Sequence, residues 1–501
     1  MKIYKNIYWQ KINYFIALSV LLVAALISSC SQEVSVTPPD EPPPHGVVVI
    51  DSKPTGAQIY LDGKNRRRAT PDSLTWLETN TYTVTLKKDL YRDTSITISA
   101  VDGEKKNYFI DYTLNPAMRG KINCTAKPDG SDIYLDGVQT GLKTPAVLTG
   151  ILPGYYSVRF SAPNFRDDSL QVTVSSSNIS IAKTTLVDTT KWTDYTTQRS
   201  QIPTNRLTGI TIDKNDVLWM GTEENGLLSF DGTVWKSHKL NNSPIDVSHV
   251  NAVIYHKYDG TVWAATSNGV LLSNGMFYSI APNGPLPESY VVALGEGKDD
   301  YVYIAEKNNV IVTGPNPIGP EPFLNNKQTA SRFWDVKNRN LWGIQDEFTA
   351  IGSVVSGTSL FIGTTKSGLI IDQSIYTTAN SGILSNSISA LQPDPSGGMW
   401  IGYKTGVATG AGVSLYKDNA FQNFFVLPSG GNVNSIYVDD LGNKWVGTTA
   451  GLTRFANTSD VQRIDYESTG LNITDVRGVV KDSKGRIWIA TFGGGLILKK
   501  K

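Results

Sequence analysis

The chain has 501 residues, with 46 Lys and Arg against 45 Asp and Glu, which gives a formal net charge of +1. This balance argues against a dedicated nucleic-acid-binding protein, which normally has a basic excess or a basic face. Hydrophobic residues make up 40% of the chain, so the protein can form packed cores and is not disordered. The 45 Gly, 23 Tyr and 11 Trp favour β structure with many tight turns, and two Cys cannot form a disulfide scaffold.

The N-terminal segment has the pattern of a secretion signal. Three lysines precede an apolar stretch at residues 14–27, which is short for a membrane span, and two serines then precede Cys30. This arrangement resembles a bacterial lipoprotein signal. The resemblance implies that residues 1–29 are removed and that Cys30 carries lipid, which places the protein in the cell envelope, with Ser31 favouring the outer membrane. A plain signal peptide or an N-terminal anchor helix is the alternative.

Residues 30–45 form a Pro-rich linker. Five prolines lie between Pro38 and Pro44, and such a run favours an extended, semi-rigid polyproline conformation. We expect it to hold the following domains away from the membrane. Binding of this segment by a partner protein is the weaker alternative.

Residues 46–116 and 117–190 are two copies of one small domain. They align at an offset of 74 residues without gaps, with Ile-Tyr-Leu-Asp-Gly at 59–63 and again at 133–137. Alternating apolar and polar residues lead into an Asp-Gly turn in both copies, which predicts hairpins and a compact antiparallel sandwich. The motifs PTGAQIYLDG, PDGSDIYLDG and LPGYYSVRF resemble PEGA domains, which are small β modules of bacterial envelope proteins.

We interpret the singular residues of these repeats as structural. Asp62 and Asp136 precede a turn glycine, and no second carboxylate lies at metal-ligand spacing, so turn formation is favoured over a metal site. The basic run 66–68 is absent from the second copy and is expected to be a solvated loop rather than an anionic-surface contact. Cys124 aligns with Ile50 in an apolar strand, which predicts a buried, unreactive thiol.

Residues 191–501 contain a second repeat, of about 42 residues. Its most regular unit is an aromatic strand such as WMGT at 219–222 or WVGT at 445–448, preceded by an Asp- or Gly-bearing turn and followed by a Gly and another apolar strand. Seven such units predict a seven-bladed β-propeller. WGIQ at 342–345 could count as an eighth unit, but it lies too close to the next one and is assigned to an insertion in blade 3. Residues 191–197 are expected to supply the missing outer strand of the last blade.

The repeated Trp and Asp residues of these units are expected to serve the fold. The Trp residues recur at equivalent strand positions, which favours packing between blades over sugar stacking. Asp213, Asp259, Asp439 and Asp482 are predicted to form separate turns rather than a calcium loop. The segments DDLGNKWVGTTAGL and DSKGRIWIATFGGGL resemble two-component-regulator propeller repeats. The resemblance implies the fold, together with occurrence in periplasmic sensor regions and secreted lipoproteins, and says little about the ligand.

The loops between blades and the loops after the second strands are predicted to share one face of the propeller. Polar and aromatic residues on this face are candidates for ligand contact. The candidates are Arg206, Glu223, Glu224, His249, Tyr290, Lys307, Lys366, Asn386, Lys404, Asn432, Asp475, Arg477 and Phe492. The insertion at 314–347 has no counterpart in other blades, and its Phe333, Trp334 and Trp342 are predicted to form a lid or a contact surface.

The favoured function is that of a lipid-anchored envelope protein, and a monomer, whose propeller binds a glycan, a peptide or a partner protein. One alternative is an accessory sensor for a separate signalling protein. The other is a lyase-like or lactonase-like enzyme, for which His249 near Glu223 is the one pairing available. No catalytic motif, metal-spaced Cys/His set or phosphate-binding loop occurs, so we expect no enzyme, metal or cofactor, and no nucleic-acid partner.

Overall fold

The structure is a computed structural model. It describes residues 45–238, 246–280, 284–297, 300–315, 332–353, 359–404, 412–428 and 431–501. The predicted signal at 1–29, Cys30 and nearly all of the Pro-rich linker therefore lie outside the described residues. Within the described ranges, no helix has the length and apolarity needed to cross a bilayer.

The backbone divides into two compact units, and the boundary runs through the second repeat. The first unit holds the described residues up to Lys121 together with Thr149–Gly154 and Thr173–Ser180. The second holds Ile122–Leu148, Tyr155–Val172 and Ile181–Lys501.

Each of the two small repeats contains seven equivalent strands. In repeat 1 the strands are Gly46–Lys53, Gln58–Leu61, Lys64–Ala69, Asp72–Leu77, Asn80–Lys87, Thr94–Ala100 and Lys105–Asp111. In repeat 2 they are Gly120–Lys127, Asp132–Leu135, Val138–Lys143, Ala146–Ile151, Gly154–Ser161, Asp168–Val174 and Ile179–Thr185. Every boundary is displaced by 74 residues, as the repeat in the sequence predicts. Short 3-10 turns at Tyr112–Leu114 and Pro116–Met118 connect the repeats.

The strands of each repeat form a three-stranded and a four-stranded sheet in the same order. Alternate residues of the first strand of repeat 1, such as Val48 and Ile50, are fully buried. The prediction of an antiparallel sandwich needs one correction, because Gly46–Lys53 and Lys105–Asp111 pair in parallel. These are the first and last strands of the repeat, and the intervening chain is long enough for the crossover that a parallel pair requires.

The structural roles predicted for Asp62, Asp136 and Cys124 are confirmed. Both aspartates have positive φ angles, 45° and 47°, and each carboxylate accepts a backbone hydrogen bond of 2.8 Å, from Thr83 and Ser157 respectively. Cys124 is fully buried, and burial raises the pKa of its thiol to about 11. The thiolate is therefore scarce at neutral pH.

Seven four-stranded sheets follow as the blades of a propeller. Blade 1 consists of Leu207–Ile212, Leu218–Thr222, Leu227–Phe230 and Trp235–His238. Blade 2 consists of Val250–His256, Thr261–Thr266, Gly269–Leu272 and Phe277–Tyr278. Blade 3 consists of Val291–Glu296, Val302–Glu306, Asn309–Pro315 and Arg332–Asn338. Blade 4 consists of Phe348–Ser353, Leu360–Thr364, Leu369–Ile371 and Ser374–Tyr376. Blade 5 consists of Ile388–Pro393, Met399–Tyr403, Val413–Lys417 and Ala420–Phe424. Blade 6 consists of Val433–Val438, Lys444–Thr448, Gly451–Asn457 and Asp460–Ile464. The first strand of each blade packs against the first strand of the next blade.

Blade 7 joins the two ends of the propeller sequence. Its strands Val476–Lys481, Ile487–Thr491 and Gly495–Lys499 are completed by Trp192–Tyr195, which pairs antiparallel with Gly495–Lys499. The outer strand predicted from residues 191–197 is thus confirmed. Closure of this kind leaves no unpaired edge at the junction between the first and last blades.

A hydrogen bond inside the blades explains the repeated Asp and Trp residues. The indole Nε1 of Trp219, Trp400, Trp445 and Trp488 donates to the carboxylate of the turn aspartate six residues earlier, at 2.6–3.0 Å. The same carboxylates accept backbone N–H groups of their own turns, as Asp482 does from Lys484 and Arg486. Each aspartate therefore fixes its turn and the indole, in agreement with the predicted structural roles.

The predicted contact surface at 314–347 requires correction. Its residues 332–338 are the outermost strand of blade 3, and Trp334 is fully buried, with its ring 4.7 Å from that of Tyr278. Phe333 is half-buried beside Tyr301, and Trp342 ends the 3-10 turn Arg339–Trp342 and donates to the Asp372 carbonyl at 2.9 Å. Trp334 is thus a core residue, because an outer strand still has one face against the neighbouring blade. Most of the Pro-rich part of this segment lies outside the described residues.

Candidate functional site

One end of the propeller carries a ring of seven residue pairs. In each blade, one member precedes the innermost strand and the other follows the second strand. The pairs are Arg206 and Glu223, His249 and Ser267, Tyr290 and Lys307, Glu347 and Thr365, Ser387 and Lys404, Asn432 and Thr449, and Asp475 and Phe492. We call this set the seven-pair ring.

A repeated backbone hydrogen bond holds these pairs together. In six blades the N–H of the second member donates to the carbonyl of the first, at 2.9–3.2 Å. In blade 3 the pairing of Val291 with Glu306 places Tyr290 beside Lys307, and the ammonium lies 5.2 Å from the tyrosine ring centre. Because the backbone alone fixes these positions, their side chains are free to differ among the blades.

Nine of the thirteen candidate residues belong to the seven-pair ring. Glu224 and Lys366 lie one residue beyond it, and Arg477 is the second residue of an innermost strand. The ligand contacts of these residues stay a prediction. Five residues of the ring were not predicted from the sequence: Ser267, Glu347, Thr365, Ser387 and Thr449. An alignment of all seven repeat units would have identified them, because each lies directly before the innermost strand or directly after the second strand of its blade.

Asn386 has a structural role and is not kept in the candidate site. Its side-chain oxygen accepts the Thr378 N–H at 2.8 Å, and its carbonyl accepts the Gly368 N–H at 2.9 Å. Asn205 makes the same contacts with Thr197 and Gly493 at the start of blade 1. These asparagines shape the connection between blades.

One group of charged and aromatic side chains in the ring lies where blade 7 meets blade 1. The guanidinium groups of Arg206 and Arg477 lie 5.6 and 5.0 Å from the centre of the Phe492 ring. Arg206 pairs with Glu223 at 2.7 Å, and Arg477 pairs with Asp475 at 2.8 Å. Each cation is thus oriented by a carboxylate and contacts one shared aromatic ring, an arrangement that suits a polar ligand with a flat apolar face.

A second group connects blades 2, 3 and 4. The Tyr290 hydroxyl donates to the Asn251 side chain at 3.1 Å, and Lys307 lies 3.5 Å from Glu347 of the next blade. This group repeats the combination of a cation over an aromatic ring. The ring end therefore offers two aromatic positions, at Tyr290 and Phe492.

The loop before blade 4 is held by a structured carboxylate. Asp346 accepts the N–H groups of Lys366 and Ser367, at 2.6 and 3.0 Å, and the hydroxyls of Thr365 and Ser367. Burial raises the pKa of Asp346, but these hydrogen bonds outweigh burial and hold the pKa below its ordinary value. The Lys366 backbone is therefore fixed while its side chain is exposed.

In six of the seven blades the innermost strand carries a polar residue that was not predicted from the sequence; blade 3 has Val292 at the same position. The pairing of first and second strands shifts register at the second residue of the innermost strand in all seven blades. Thr208, Asn251 and Thr349 occupy this position and donate to the first carbonyl of the next innermost strand, at 2.5–2.7 Å. Arg477 occupies the same position in blade 7 and contacts Asp475 and Phe492 instead.

The pairing of His249 with Glu223 differs from that of an acid–base dyad. The two residues are adjacent, but His249 Nδ1 lies 3.0 Å from the Glu223 backbone carbonyl, and the Glu223 carboxylate pairs with Arg206. Within the part of the chain that the structure describes, no carboxylate is hydrogen-bonded to His249. Within the described ranges, no group of three or more His, Cys, Asp or Glu residues is arranged to hold a metal ion.

Comparisons with known proteins agree with this architecture. A PEGA domain model matches residues 45–118 and 119–188, and a two component regulator propeller model matches residues 470–493. No curated protein matches the chain. The protein is thus of the class in which small β domains precede a β-propeller. More particularly, its two repeats match the PEGA domain model, and the segment 470–493 of its last blade matches the two component regulator propeller model.

Several solved structures are similar to the propeller. The extracellular domain of a putative hybrid two component system from B. thetaiotaomicron has 21% identity and a TM-score of 0.50, and the match covers 62% of this chain and 42% of that one. A second such domain from the same organism has 17% identity and a TM-score of 0.47, with 62% and 40% covered. Virginiamycin B lyase from Staphylococcus aureus has 13% identity and a TM-score of 0.46, with 62% and 99% covered. The match thus spans less than half of the first two chains, and such identities show the fold alone.

Proposed function

We propose that this protein is a lipid-anchored binding protein of the cell envelope and that the seven-pair ring of its propeller is the ligand-binding surface. The ligand is a glycan, a peptide or a segment of a partner protein. The PEGA domains act as a spacer between the membrane and the propeller.

The chemical variety of the seven-pair ring carries this proposal. Positions that serve the fold repeat the same residue types, as in the Thr that ends the second strand of five blades and donates to a glycine carbonyl. The ring positions are equally equivalent in geometry, but they hold seven different pairs. A surface whose side chains are not dictated by the repeat is free to match an asymmetric ligand.

The contacts at the junction of blades 7 and 1 indicate what the surface would recognise. Phe492 is half-buried, and the guanidinium groups of Arg206 and Arg477 lie over its ring as hydrogen-bond donors already oriented by carboxylates. Such a preorganised group loses little side-chain entropy on binding. We therefore expect this junction to contribute more of the binding free energy than any other part of the ring.

The proposed site can be tested with the purified full chain. Thermal-shift screening against soluble glycans, cell-wall fragments and peptides should give at least one ligand that raises the melting temperature. Phe492→Ala and Arg477→Ala should then weaken its binding at least tenfold in calorimetry. Tyr155→Ala is the matched control, because Tyr155 is an exposed aromatic residue outside the propeller. Equal loss in this control, or none in the ring variants, would refute the assignment.

The envelope location is supported by the lipoprotein-like signal, and the similar structures include extracellular domains. Metabolic labelling with a fatty-acid analogue should mark the protein and leave Cys30→Ala unmarked. Recovery of labelled protein in the inner-membrane fraction would contradict the outer-membrane part of the proposal. Crosslinking in the envelope would separate a binding protein from an accessory sensor, since a sensor must capture a signalling protein.

A further inference from the structure

Trp76 in the first PEGA domain has an unfavourable backbone conformation. Its φ angle is +63°, in the left-handed region, and its side chain is 71% exposed. The left-handed conformation costs a residue with a Cβ atom about 1–2 kcal/mol. Burial of the indole does not offset this cost. The residue is therefore not explained by the stability of the domain.

The second PEGA domain provides an internal comparison. The equivalent residue, 74 positions later, is Gly150, and its φ angle is +74°. A Cβ atom added there would meet only the Arg119 guanidinium, at 4.0 Å. Both domains thus need the left-handed turn, which glycine supplies without strain. In the first domain the same position carries the largest side chain available.

Among the described residues, the Trp76 ring contacts one aromatic side chain and is followed in the sequence by exposed polar residues. The His45 ring lies 5.1 Å from the indole at an angle of 69°, an edge-to-face arrangement that orients Trp76. His45 Nδ1 is buried and has no hydrogen-bond partner within the residues described. The following residues Glu78 and Thr79 are exposed, and the Thr79 hydroxyl accepts the Asp102 N–H at 3.1 Å.

We propose that Trp76 is a carbohydrate-binding residue of the first PEGA domain and that its indole stacks on the C–H face of a sugar ring. A pyranose is flat and apolar on that face and carries hydroxyls around its edge, which matches a single indole within a polar rim. A lipid surface fits less well, because the other apolar residues of strand Asp72–Leu77 are buried and the nearby carboxylates of Glu78 and Asp102 repel anionic headgroups. This site lies outside the propeller and does not depend on the ligand of the seven-pair ring.

The test uses the full chain and two variants of one position. Soluble oligomers of N-acetylglucosamine and of glucose are titrated by calorimetry. At least one should bind, Trp76→Gly should weaken it tenfold or more, and Trp76→Tyr should stay within about threefold of the unsubstituted protein. Trp76→Gly should also raise the melting temperature of the first domain, since it removes the strained φ angle, whereas Trp76→Tyr should not.

Controls separate this site from other aromatic positions and from other partners. Tyr155→Ala removes an exposed aromatic side chain outside both proposed sites and should leave oligosaccharide binding unchanged, so loss in Trp76→Gly alone assigns the binding to Trp76 whatever the outcome for the seven-pair ring. The proposal is overturned if neither oligomer binds, if Trp76→Gly binds as tightly as the unsubstituted protein, or if Trp76→Gly lowers the melting temperature. It is also overturned if Trp76 is instead required for binding to phosphatidylglycerol vesicles or for self-association in sedimentation experiments.

Discussion

Replacing Glu306 by glutamine should make the propeller less sensitive to alkaline pH. Glu306 ends the second strand of blade 3, where five other blades have a threonine. Its side chain is fully buried, and it accepts hydrogen bonds from the Glu288 N–H at 3.1 Å and from the Asn309 side chain at 3.0 Å. Burial outweighs these hydrogen bonds and raises the pKa of Glu306 to about 8.

The sign of the effect follows from the two states of the chain. The folded protein holds a proton that the unfolded chain releases near the ordinary glutamate pKa of 4.5. The resulting stabilisation is complete below that value and is lost as the pH rises towards 8. At 1.36 kcal/mol for each pKa unit, the loss between pH 5 and pH 8 is roughly 3 kcal/mol. A glutamine in this place has no proton to lose.

Urea unfolding at several pH values measures this contribution. Nine of the eleven tryptophans lie at position 192 or beyond, so tryptophan fluorescence reports chiefly on the propeller. The stability difference between Glu306→Gln and the unsubstituted protein should shift in favour of the variant by about 3 kcal/mol from pH 5 to pH 8. Glu224→Gln is the control, because the Glu224 side chain is 74% exposed. If the profiles of Glu306→Gln and the unsubstituted protein stay parallel over this range, the buried carboxyl group is not protonated and the reasoning fails.

Three further predictions concern closure, the turn aspartates and the buried thiol. Trp192→Ala should destabilise the propeller by about 3–5 kcal/mol, because Trp192 is 8% exposed and belongs to the strand that closes the propeller. Faster amide hydrogen exchange in Gly495–Lys499 would locate the effect at this closure. Unchanged exchange in that strand would contradict the prediction. Asp482→Ala should lower the free energy of unfolding by about 2–3 kcal/mol in urea, since the indole N–H of Trp488 loses its acceptor. Hydrogen bonds lower the pKa of Asp482 despite burial. The variant should therefore also lose less stability than the unsubstituted protein as the pH falls below about 4. Cys124 should resist thiol reagents at pH 8 in the folded protein and react after unfolding, because burial raises its pKa; rapid labelling of the folded chain would show that the strand opens.

The features predicted from sequence are those that repeat. The 74-residue offset predicted two copies of one domain, and every strand boundary recurs at that offset. The aromatic strand units predicted seven blades, and residues 191–197 were correctly expected to close the last one. These signals are strong because buried strands need apolar residues at fixed intervals, and each repetition adds to the pattern.

The features that were missed depend on contacts between distant residues. The outermost strand Arg332–Asn338 has one solvated face and a weak apolar pattern, so it was interpreted as an insertion. The parallel pair in the first PEGA domain joins strands that are about 60 residues apart, and local sequence does not indicate its direction. The neighbours of Phe492 likewise come from blades at opposite ends of the propeller sequence.

The turn of blade 2 is held by a different set of contacts. Its turn aspartate, Asp259, lies four residues before Trp263 rather than six. Asp259 lies 3.0 Å from His256 and does not accept from Trp263, whose indole nitrogen is buried without a partner within the described residues. His256 also lies 3.1 Å from Asp300 of blade 3, which pairs with Arg332, and the Arg332 guanidinium lies over the Trp263 ring at 5.3 Å.

A bond within one blade is thus replaced by a charged group that joins two blades. The turn still forms because Asp259 accepts from Thr261, as its counterparts accept from their own turns. Trp76 and Gly150 show the same separation in the PEGA domains: the backbone conformation belongs to the repeat, and the side chain belongs to the individual copy. In both parts of the chain, the positions at which one copy departs from the others are therefore the places to look for a specific role, whether in stability, as in blade 2, or in recognition, as proposed for Trp76 and for the seven-pair ring.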